Sequence, residues 1–320
     1  MSSKKDKLYL NLALNLAKNM EGLTGTNPSV GSVLVKNDEV ISLASTGYNG
    51  TPHSEFSLLN KIDKKITKGS SLYVTLEPCS HYGKTPPCTN IIIDKKISRL
   101  VFGAHDIDER SSKRAKQILK SKKIKVKKNL SLNISKLIYK NYFYAKKNNK
   151  PYVYGKLAIS KDLFLKDKKN FYITNKKSLE TAHLLRSKVN CILTTSKTIN
   201  DDNPKLNCRI NGLEYISPKI AILDKNLKIK KNCFLVKNAK NNNTFLFYNK
   251  IIPSKIKFLR SKKIILIHTP LNNRNLDFNY VLKQLFMNEI SSVLVEGGKK
   301  IITSLLNKNS FNEFYLFISS

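Results

Sequence analysis

The sequence predicts an α/β fold divided into two domains. Short apolar segments alternate with segments whose apolar residues recur at helical spacing, and this alternation is typical of layered α/β domains. The length of 320 residues suits two such domains, each large enough to bury a core of its own. A lysine- and asparagine-rich stretch at 146–150, ahead of Pro151, indicates the linker. We therefore expect domains at 1–146 and 150–320.

In the first half, the residues Leu8, Leu12 and Leu16 recur at helical spacing and predict an N-terminal helix. Two apolar runs on either side of Asn37-Asp38 predict a hairpin. The further elements expected in this half are a helix at 53–60, a strand at 72–76, a helix through 88–93, a strand at 99–102, a helix at 113–120 and a strand at 124–126.

The apolar pattern of the second half of the sequence predicts another set of alternating strands and helices. Between the halves, an aromatic cluster at 139–144 favours a helix that docks between domains over a base-stacking surface. The elements expected after this cluster are a strand at 152–159, a helix near 179–187, and strands at 191–195, 220–223, 244–248, 263–267, 292–295 and 313–317.

Metal-ligand side chains and a carboxylate follow one another in a recognisable order in the first half. His53 is followed by Glu55, and Cys79 and Cys88 come later, with Pro78 ahead of the first of them. One imidazole and two thiolates make a three-ligand zinc site that leaves a fourth tetrahedral position open. This order is the pattern of zinc deaminases acting on amino-substituted nitrogen heterocycles, although eight residues separate the two cysteines here.

Each of these residue types has a chemical task. Zinc lowers the pKa of a water molecule to about 7, which makes hydroxide available to attack the carbon bearing the amine. Glu55 would move protons from that water to the ring nitrogen and the departing ammonia. Pro78 predicts that Cys79 lies in the first turn of a helix. His81 remains open as a ligand, a substrate contact or a residue that orients a ligand.

The composition argues against a disulfide-stapled secreted protein and against a membrane-spanning protein. Five cysteines form an odd set without framework spacing, which argues against a disulfide-stapled secreted protein. No run of about 18 apolar residues occurs, so we expect no membrane span and a cytoplasmic location. The net charge of +36 would suit nucleic acid or phosphorylated small molecules. Because the lysines are spread over both halves, we expect no specific nucleic-acid site.

The first half closely resembles the deaminase domain of bifunctional riboflavin biosynthesis enzymes. The block from Thr75 to Cys88 matches the family's Thr-Leu-Glu-Pro-Cys-Ser-His-x-Gly-x-Thr-Pro-Pro-Cys, and Asn27 to Val33 matches Asn-Pro-x-Val-Gly-x-Val. The resemblance implies a cytidine-deaminase-like three-layer domain with one zinc ion per chain and a substrate site that includes Asn27 and His81. The chain departs from the family at 106–110, where an Asp-Pro-rich loop is usual.

The second half is similar to the reductase domain of the same family, which implies a dihydrofolate-reductase-like α/β domain that uses NADPH. The matching segments are 156–162, 184–186, 198–209 and 295–298. Leu163 stands at a family glycine, Asn170-Phe-Tyr172 replaces Ser-x-Trp, and relatives continue through a further strand, so we expect an exposed sheet edge. By resemblance, the nucleotide contacts are Ala158, Tyr172, Thr198, Asp202, Gly297 and Gly298, and the substrate contacts are Asn170, Arg186, Leu206, Arg209 and Glu296.

The resemblance implies two reactions in sequence. The deaminase would remove the amine at position 2 of diaminohydroxyphosphoribosylaminopyrimidine, and the reductase would convert the ribosyl group of the product to ribityl with NADPH. The expected partners are phosphorylated pyrimidine substrates and a second copy of the chain in a homodimer. Two alternatives stay open: a deaminase with a degenerate reductase half, and a nucleic-acid base deaminase that uses the basic surface.

Overall fold

The computed structural model describes residues 3–83, 85–110, 113–128, 132–161, 176–239 and 243–319. The chain divides into two compact units, Met1–Asn148 and Asn149–Ser320. Leu163, Asn170 and Tyr172 lie outside the described residues. In the part of the chain that the structure describes, every helix is too short or too polar to cross a bilayer.

The first unit is a mixed sheet with the strand order β2-β1-β3-β4-β5. The pairs β1/β2 and β1/β3 are antiparallel, and β3/β4 and β4/β5 are parallel. Its elements are α1 (Ser3–Asn19), β1 (Gly31–Lys36), β2 (Glu39–Ser45), a 3₁₀ turn (Tyr48–Gly50), α2 (Ser54–Leu59), α3 (Lys64–Thr67), β3 (Ser71–Leu76), α4 (Cys88–Asp94), β4 (Arg99–Ala104), α5 (Arg114–Ser121), β5 (Lys125–Lys128) and α6 (Leu132–Asn148).

The hairpin predicted at Asn37-Asp38 is confirmed. Lys36 pairs with Glu39 across the turn, and the φ angles of Asn37 and Asp38 are 50° and 67°. Two successive left-handed residues make the turn whose twist suits a two-residue hairpin, and Asn and Asp tolerate this conformation better than other residues with a β-carbon.

Helices cover both faces of this sheet, as a three-layer domain requires. On one face, Tyr9 and Ala13 of α1 pack on Val33, Val35 and Tyr73. On the other face, the helices contribute a second core. Its largest buried members are Leu34, Leu58, Leu59, Leu72, Ile92, Leu100, Phe102, Leu119 and Tyr139.

A buried ionic cluster, in which Asp6 of α1 binds Arg99, Lys127 and Tyr73, joins α1 to the sheet. Asp6 is fully buried and accepts hydrogen bonds from Arg99 at 2.7 and 2.9 Å, from Lys127 at 2.9 Å and from the Tyr73 hydroxyl at 2.9 Å. Burial alone would raise the pKa of Asp6, but these hydrogen bonds outweigh burial and hold the pKa well below its ordinary value. The carboxylate is therefore charged whenever this unit is folded near neutral pH.

Two expectations about element ends are wrong. No helix begins at Pro78, because residues 77–83 and 85–87 are neither helix nor strand and α4 begins at Cys88; Gly83 and Pro86-Pro87 interrupt helical geometry. Residues 146–148 are not linker, because α6 continues to Asn148, where lysines suit the negative end of the helix dipole. The aromatic cluster belongs to this helix, and Tyr139 and Tyr142 are buried in the core of the first unit.

The second unit is a parallel sheet with the strand order β10-β9-β8-β7-β13-β6-β14. Its elements are β6 (Tyr152–Ile159), α7 (Lys176–Ser187), β7 (Cys191–Thr195), α8 (Ser196–Asp202), β8 (Lys219–Leu223), α9 (Phe234–Lys237), β9 (Thr244–Tyr248), α10 (Pro253–Ser261), β10 (Ile265–His268), β11 (Leu271–Asn272), β12 (Asn275–Leu276), α11 (Phe278–Met287), β13 (Ser292–Glu296), α12 (Lys299–Leu306) and β14 (Glu313–Ile318).

Both faces of this sheet are buried, which explains why its strands read as nearly continuous apolar runs. Along β7, Cys191 and Leu193 face a core that contains α11 and α12, whereas Ile192 faces a core that contains α10. The carboxyl ends of the neighbouring parallel strands β7 and β13 lead into α8 and α12. Thr198, Asp202, Gly297 and Gly298 therefore lie beyond the carboxyl ends of these two strands.

Candidate active sites

Three separate segments of the first unit supply the predicted metal ligands. His53 directly precedes α2, Cys79 lies in the loop after β3, and Cys88 is the first residue of α4. Among the described residues, these three side chains form the only group of His, Cys, Asp and Glu with ligand spacing, and their ligand atoms all lie within 4.8 Å of one another. The three side chains that the sequence separates by up to 35 positions therefore meet at one point.

The spacing fits zinc. The Nδ1 atom of His53 lies 3.5 Å from Sγ of Cys79 and 3.4 Å from Sγ of Cys88. Ordinary Zn–N and Zn–S bond lengths at a tetrahedral angle place a nitrogen and a sulfur ligand about 3.5 Å apart. One imidazole and two thiolates are also donors that zinc prefers, so the donor set and its geometry agree.

The protonation states of the two thiols differ. A hydrogen bond from Cys88 lowers the pKa of the Cys79 thiol, and the backbone N–H of Cys88 donates to Cys79 Sγ at 3.2 Å. The shared hydrogen bond and burial raise the pKa of Cys88. Cys79 is thus prepared as a thiolate, whereas Cys88 would release its proton when a metal binds.

Glu55 lies one residue inside α2, with only 4% of its surface exposed. The Ser54 hydroxyl donates to Glu55 Oε2 at 3.0 Å and lies 2.6 Å from the hydroxyl of Ser32 on β1. Burial, and then the charge of Cys79, raise the pKa of Glu55. A carboxyl group with a raised pKa can take up and give back a proton near neutral pH. Ser54 and Ser32 were not predicted, because a serine carries no motif signal of its own.

Asn27 is fixed by the 3₁₀ turn that precedes His53. Its side-chain amide donates to the carbonyl oxygen of Gly50 at 3.0 Å. Gly50 has a φ of +85°, and a β-carbon there would lie 2.6 Å from Asn27 Nδ2. The close approach of this turn to Asn27 therefore requires glycine. The contact joins the Asn27 loop to the segment that carries the first zinc ligand.

His81 is half-buried in the loop between the two cysteines and is not part of the three-ligand group. Two other acidic residues support the loops that surround the site. Glu77 is buried, with Oε2 2.8 Å from His105 Nδ1 and 3.1 Å from the backbone nitrogen of Lys113. Asp106, in the loop that departs from the family, is also buried.

The contacts of Asp106 show what Tyr142, a member of the aromatic cluster at 139–144, does in the fold. Its Oδ1 accepts from the Tyr142 hydroxyl at 2.8 Å and from the backbone nitrogen of Asp108 at 3.1 Å. Burial raises the pKa of Asp106. Tyr142 on α6 therefore holds the loop after β4, which sequence patterns alone could not reveal because 36 positions separate the two residues.

In the second unit, the structure brings Arg186 and Glu296 together. Arg186 extends from α7 and donates to Glu296 Oε1 at 2.7 Å and Oε2 at 2.8 Å. Burial would raise the pKa of Glu296, but the hydrogen bonds from Arg186 and the charge of Lys156 hold it below its ordinary value. Lys156 lies opposite Glu296 on the paired strand β6, and burial lowers its pKa.

Three of the predicted nucleotide contacts, Thr198, Gly297 and Gly298, lie around two adjacent turns. Thr198 is in the first turn of α8, where its backbone nitrogen donates to the Thr195 hydroxyl at 3.2 Å. A β-carbon at Gly297 would lie 3.7 Å from Thr198 Oγ1, so the two turns are neighbours. Gly298 precedes the first residue of α12, Asp202 ends α8, and Ala158 lies on β6.

Two further predicted substrate contacts, Leu206 and Arg209, lie in the turn after α8. Leu206 is buried and has a φ of +51°. Arg209 donates through Nη1 to Asn207 Oδ1 at 2.9 Å and through its backbone nitrogen to His183 Nδ1 at 3.2 Å. The structure thus links the 206–209 turn to α7, which also carries Arg186.

Family models match both units. The model described as "Cytidine and deoxycytidylate deaminase zinc-binding region" matches residues 3–104, and the "RibD C-terminal domain" model matches residues 151–320. These matches agree with the mixed sheet of the first unit and the parallel sheet of the second.

Known proteins resemble either nearly all of the chain or about half of it. Riboflavin biosynthesis protein RibD of Aquifex aeolicus is 33% identical over 98% of this chain and 86% of its own length. A diaminohydroxyphosphoribosylamino-pyrimidine deaminase of Buchnera aphidicola subsp. Schizaphis graminum is 35% identical over 46% of this chain and 99% of its own length.

A solved structure extends the likeness to three dimensions. The diaminohydroxyphosphoribosylaminopyrimidine deaminase/5-amino-6-(5-phosphoribosylamino)uracil reductase of Thermotoga maritima superposes with a TM-score of 0.81 and 27% identity, covering 96% of this chain and 84% of that one. The zinc-ligand geometry, both family models and this full-length similarity lead to one assignment. The chain belongs to the RibD family of riboflavin biosynthesis proteins, in which a zinc deaminase domain is followed by a reductase domain.

Proposed function

We propose that the chain catalyses the two reactions named for its Thermotoga relative. The first unit would hydrolyse the 2-amino group of diaminohydroxyphosphoribosylaminopyrimidine and release ammonia. The second unit would reduce the ribosyl group of 5-amino-6-(5-phosphoribosylamino)uracil to ribityl with NADPH. The deaminase domain spans the region before about residue 146 and the reductase domain the region after about residue 150.

The observation that carries the deaminase proposal is the buried Glu55 next to a His-Cys-Cys group with zinc spacing. A zinc ion held by His53, Cys79 and Cys88 would lower the pKa of a water molecule to about 7 and supply a nucleophile at neutral pH. Glu55 would accept a proton and pass it to the pyrimidine nitrogen and then to the departing amine. Its raised pKa supports this exchange.

The substrate would be oriented by Asn27 and His81. An amide can both donate and accept along the edge of a pyrimidine ring. Because the Asn27 amide nitrogen is bound to Gly50, its oxygen is the atom we assign to the substrate. His81 lies in the loop that carries Cys79, so the same loop would contribute a zinc ligand and a substrate contact.

The reductase proposal rests on the residues that lie beyond the carboxyl ends of the parallel strands β7 and β13. Thr198, Gly297 and Gly298 lie in neighbouring turns before or within helices, where backbone N–H groups can bind cofactor phosphates. Ala158, Asp202 and Tyr172 would complete the nucleotide site. Arg186, Leu206, Arg209, Glu296 and Asn170 would hold the phosphorylated substrate, and arginine suits a phosphate ester because its planar fork donates two hydrogen bonds.

Assays on the purified full-length protein test both halves. Ammonia release from the pyrimidine substrate measures the deaminase, and NADPH oxidation on the deaminated intermediate measures the reductase. We expect both activities. A parallel reaction with NADH measures the cofactor preference, and light scattering measures whether the chain forms the expected dimer.

The assays also separate the alternatives. Ammonia release without NADPH oxidation or NADPH binding would favour a deaminase with a degenerate reductase half. Deamination of single-stranded DNA or RNA, but not of the free pyrimidine, would favour a polynucleotide deaminase. Binding to nucleic acid that weakens steeply with salt and ignores sequence would reflect only the positive net charge.

A further inference from the structure

His183 is a buried histidine on α7 whose ring faces the turn that carries Leu206 and Arg209. Its Nδ1 atom lies 3.1 Å from the carbonyl oxygen of Asn207 and 3.2 Å from the backbone nitrogen of Arg209. The Cys208 thiol also donates to the backbone carbonyl of His183 at 3.6 Å. Three successive residues of the turn therefore contact one residue of the helix.

A single ring nitrogen cannot donate to the carbonyl and accept from the N–H at the same time. The carbonyl of Asn207 already receives a hydrogen bond from Arg186 Nη1 at 3.2 Å. The backbone N–H of Arg209 is directed at the His183 ring and makes a part-buried hydrogen bond to it at 3.2 Å, which requires an unprotonated Nδ1 as the acceptor. The favoured arrangement is a neutral ring with its proton on Nε2 and a lone pair on Nδ1.

The turn needs this support. Leu206 adopts a φ of +51°, a left-handed conformation that a leucine keeps only where surrounding contacts enforce it. The contact from His183 fixes the backbone three residues later in the chain, at Arg209. Leu206 and Arg209 are both assigned to the substrate, so the position of the ring sets the geometry of that part of the site.

We propose that His183 is a positioning residue of the reductase: its Nδ1 lone pair anchors the Arg209 backbone and thereby holds Arg209 and Leu206 in place for the phosphorylated substrate. This role rests on the proposed reductase function. It requires no contact between the histidine and the substrate. The role concerns substrate binding, so a change at His183 should act on KM more than on kcat.

Protonation of the ring would break the anchor, because Nδ1–H and the Arg209 N–H would then face each other. The charged groups that face the ring are Arg186 on its own helix, Arg209 in the turn and Glu296 at the end of β13. Burial lowers the pKa of His183, and both arginines lower it further. The ring is therefore neutral at pH 7 and becomes charged only below its ordinary pKa of about 6.5.

Steady-state kinetics of the zinc-loaded full-length protein, with NADPH and the deaminated substrate, test the role. His183→Leu removes the acceptor and should raise the substrate KM about three- to tenfold, the range of one net hydrogen bond. The KM for NADPH and the kcat should stay within about twofold. His183→Asn offers an amide oxygen at a similar place and should restore most of the substrate KM.

The pH profile gives a second measurement. The substrate KM of the wild type should rise as the pH falls below about 6, whereas His183→Asn, which cannot be protonated there, should lack this rise. His268→Leu is the matched control, because His268 also approaches a backbone carbonyl, that of Asn249 at 3.1 Å, but is exposed on β10. Ammonia release should be unchanged in all three variants.

Several results would overturn the role. An unchanged substrate KM in His183→Leu, or equal effects of the Leu and Asn variants, would show that the Nδ1 acceptor does not position the turn. A nitrogen NMR spectrum that places the proton on Nδ1 would also reject the anchor. An inactive wild type would overturn the proposed reductase function itself and the positioning role with it, which distinguishes that failure from a failure of the inference alone.

Discussion

Arg186 donates a hydrogen bond to each carboxylate oxygen of Glu296, from Nε to Oε1 at 2.7 Å and from Nη2 to Oε2 at 2.8 Å. The pair is mostly buried, with 12% and 10% of the two side chains exposed. Such two-point contacts are directional as well as strong. Arg186 thus fixes the orientation of Glu296 at the end of β13, in addition to any contact that it makes with substrate.

Arg186→Lys should lower the reductase kcat/KM at least about tenfold, since an ammonium group is a point charge and cannot hold both oxygens in one plane. Loss of the hydrogen bonds would also let burial raise the pKa of Glu296. NADPH oxidation measures the loss. The matched control is Arg260→Lys on the exposed face of α10, and equal kinetics of the two variants would contradict a role for the two-point contact.

Glu55→Gln should retain zinc and lose most of the deaminase activity. Glutamine keeps the shape of the side chain but cannot carry a proton, and proton transfer contributes about 10²–10⁴-fold. Metal analysis and ammonia release should be measured on the same preparation. Near-normal ammonia release from a zinc-replete Glu55→Gln variant would reject the assignment of Glu55.

Zinc removal should affect the two activities differently. Dialysis against a chelator at mildly acidic pH, where thiolate ligands become protonated, should abolish ammonia release and leave NADPH oxidation on the deaminated intermediate largely intact. Cys88→Ser should behave like the chelated protein, whereas Cys233→Ser, at a buried cysteine outside the ligand group, should keep its zinc. Parallel loss of both activities on chelation would contradict a purely deaminase role of the metal.

The sequence was sufficient wherever local chemistry decides the structure. Asn37-Asp38 fixed the hairpin because both residues tolerate positive φ. The apolar runs fixed the buried strands, since both faces of the second sheet are covered. The zinc group could be predicted because its residue types and their order are set by coordination chemistry.

The sequence was insufficient wherever distant segments meet. The hydrogen bonds from the Tyr142 hydroxyl to Asp106 and from the His105 ring to Glu77 join residues 36 and 28 positions apart. Neither pair has a pattern in one sequence, because long-range pairing depends on the packed fold. The prediction that a helix begins at Pro78 was wrong for a local reason. Proline suits a first helical turn, but Gly83 and Pro86-Pro87 follow, and α4 begins only at Cys88.

Asp6→Asn should destabilise the first unit by about 3 kcal/mol, since it leaves the charges of Arg99 and Lys127 without their buried partner. The folded-state pKa of Asp6 is lowered, so its contribution is present above the unfolded pKa of about 3.9 and is lost as the pH falls below it. Urea unfolding followed by circular dichroism from pH 7 to pH 3 should show this loss in the wild type and a weaker one in Asp6→Asn.

Asp38→Asn is the control for this experiment. Asp38 pairs with Lys5 of the same helix α1, but 48% of each side chain is exposed. An exposed pair contributes at most about 1 kcal/mol. If Asp6→Asn costs no more than Asp38→Asn at pH 7, the buried cluster does not stabilise the unit.

Gly50→Ala and Gly69→Ala form a matched pair that tests the close approach of the 3₁₀ turn to Asn27 and to the carbonyl oxygen of Thr24, which would lie 2.8 Å from a β-carbon at Gly50. Both glycines have left-handed φ angles, +85° and +82°, but a β-carbon at Gly50 would lie 2.6 Å from Asn27 Nδ2, whereas nothing lies within 4 Å of one at Gly69. Both substitutions should therefore cost about 1–2 kcal/mol of backbone strain. Only Gly50→Ala should also displace Asn27 and so raise the KM of the deaminase for its pyrimidine. We expect kcat/KM to fall at least about tenfold, because a shift of about 1 Å in a positioning group can have this effect. Thermal unfolding measures the shared strain, and ammonia release measures the specific effect. Equal ammonia release from the two variants would reject Asn27 as a residue that orients the substrate.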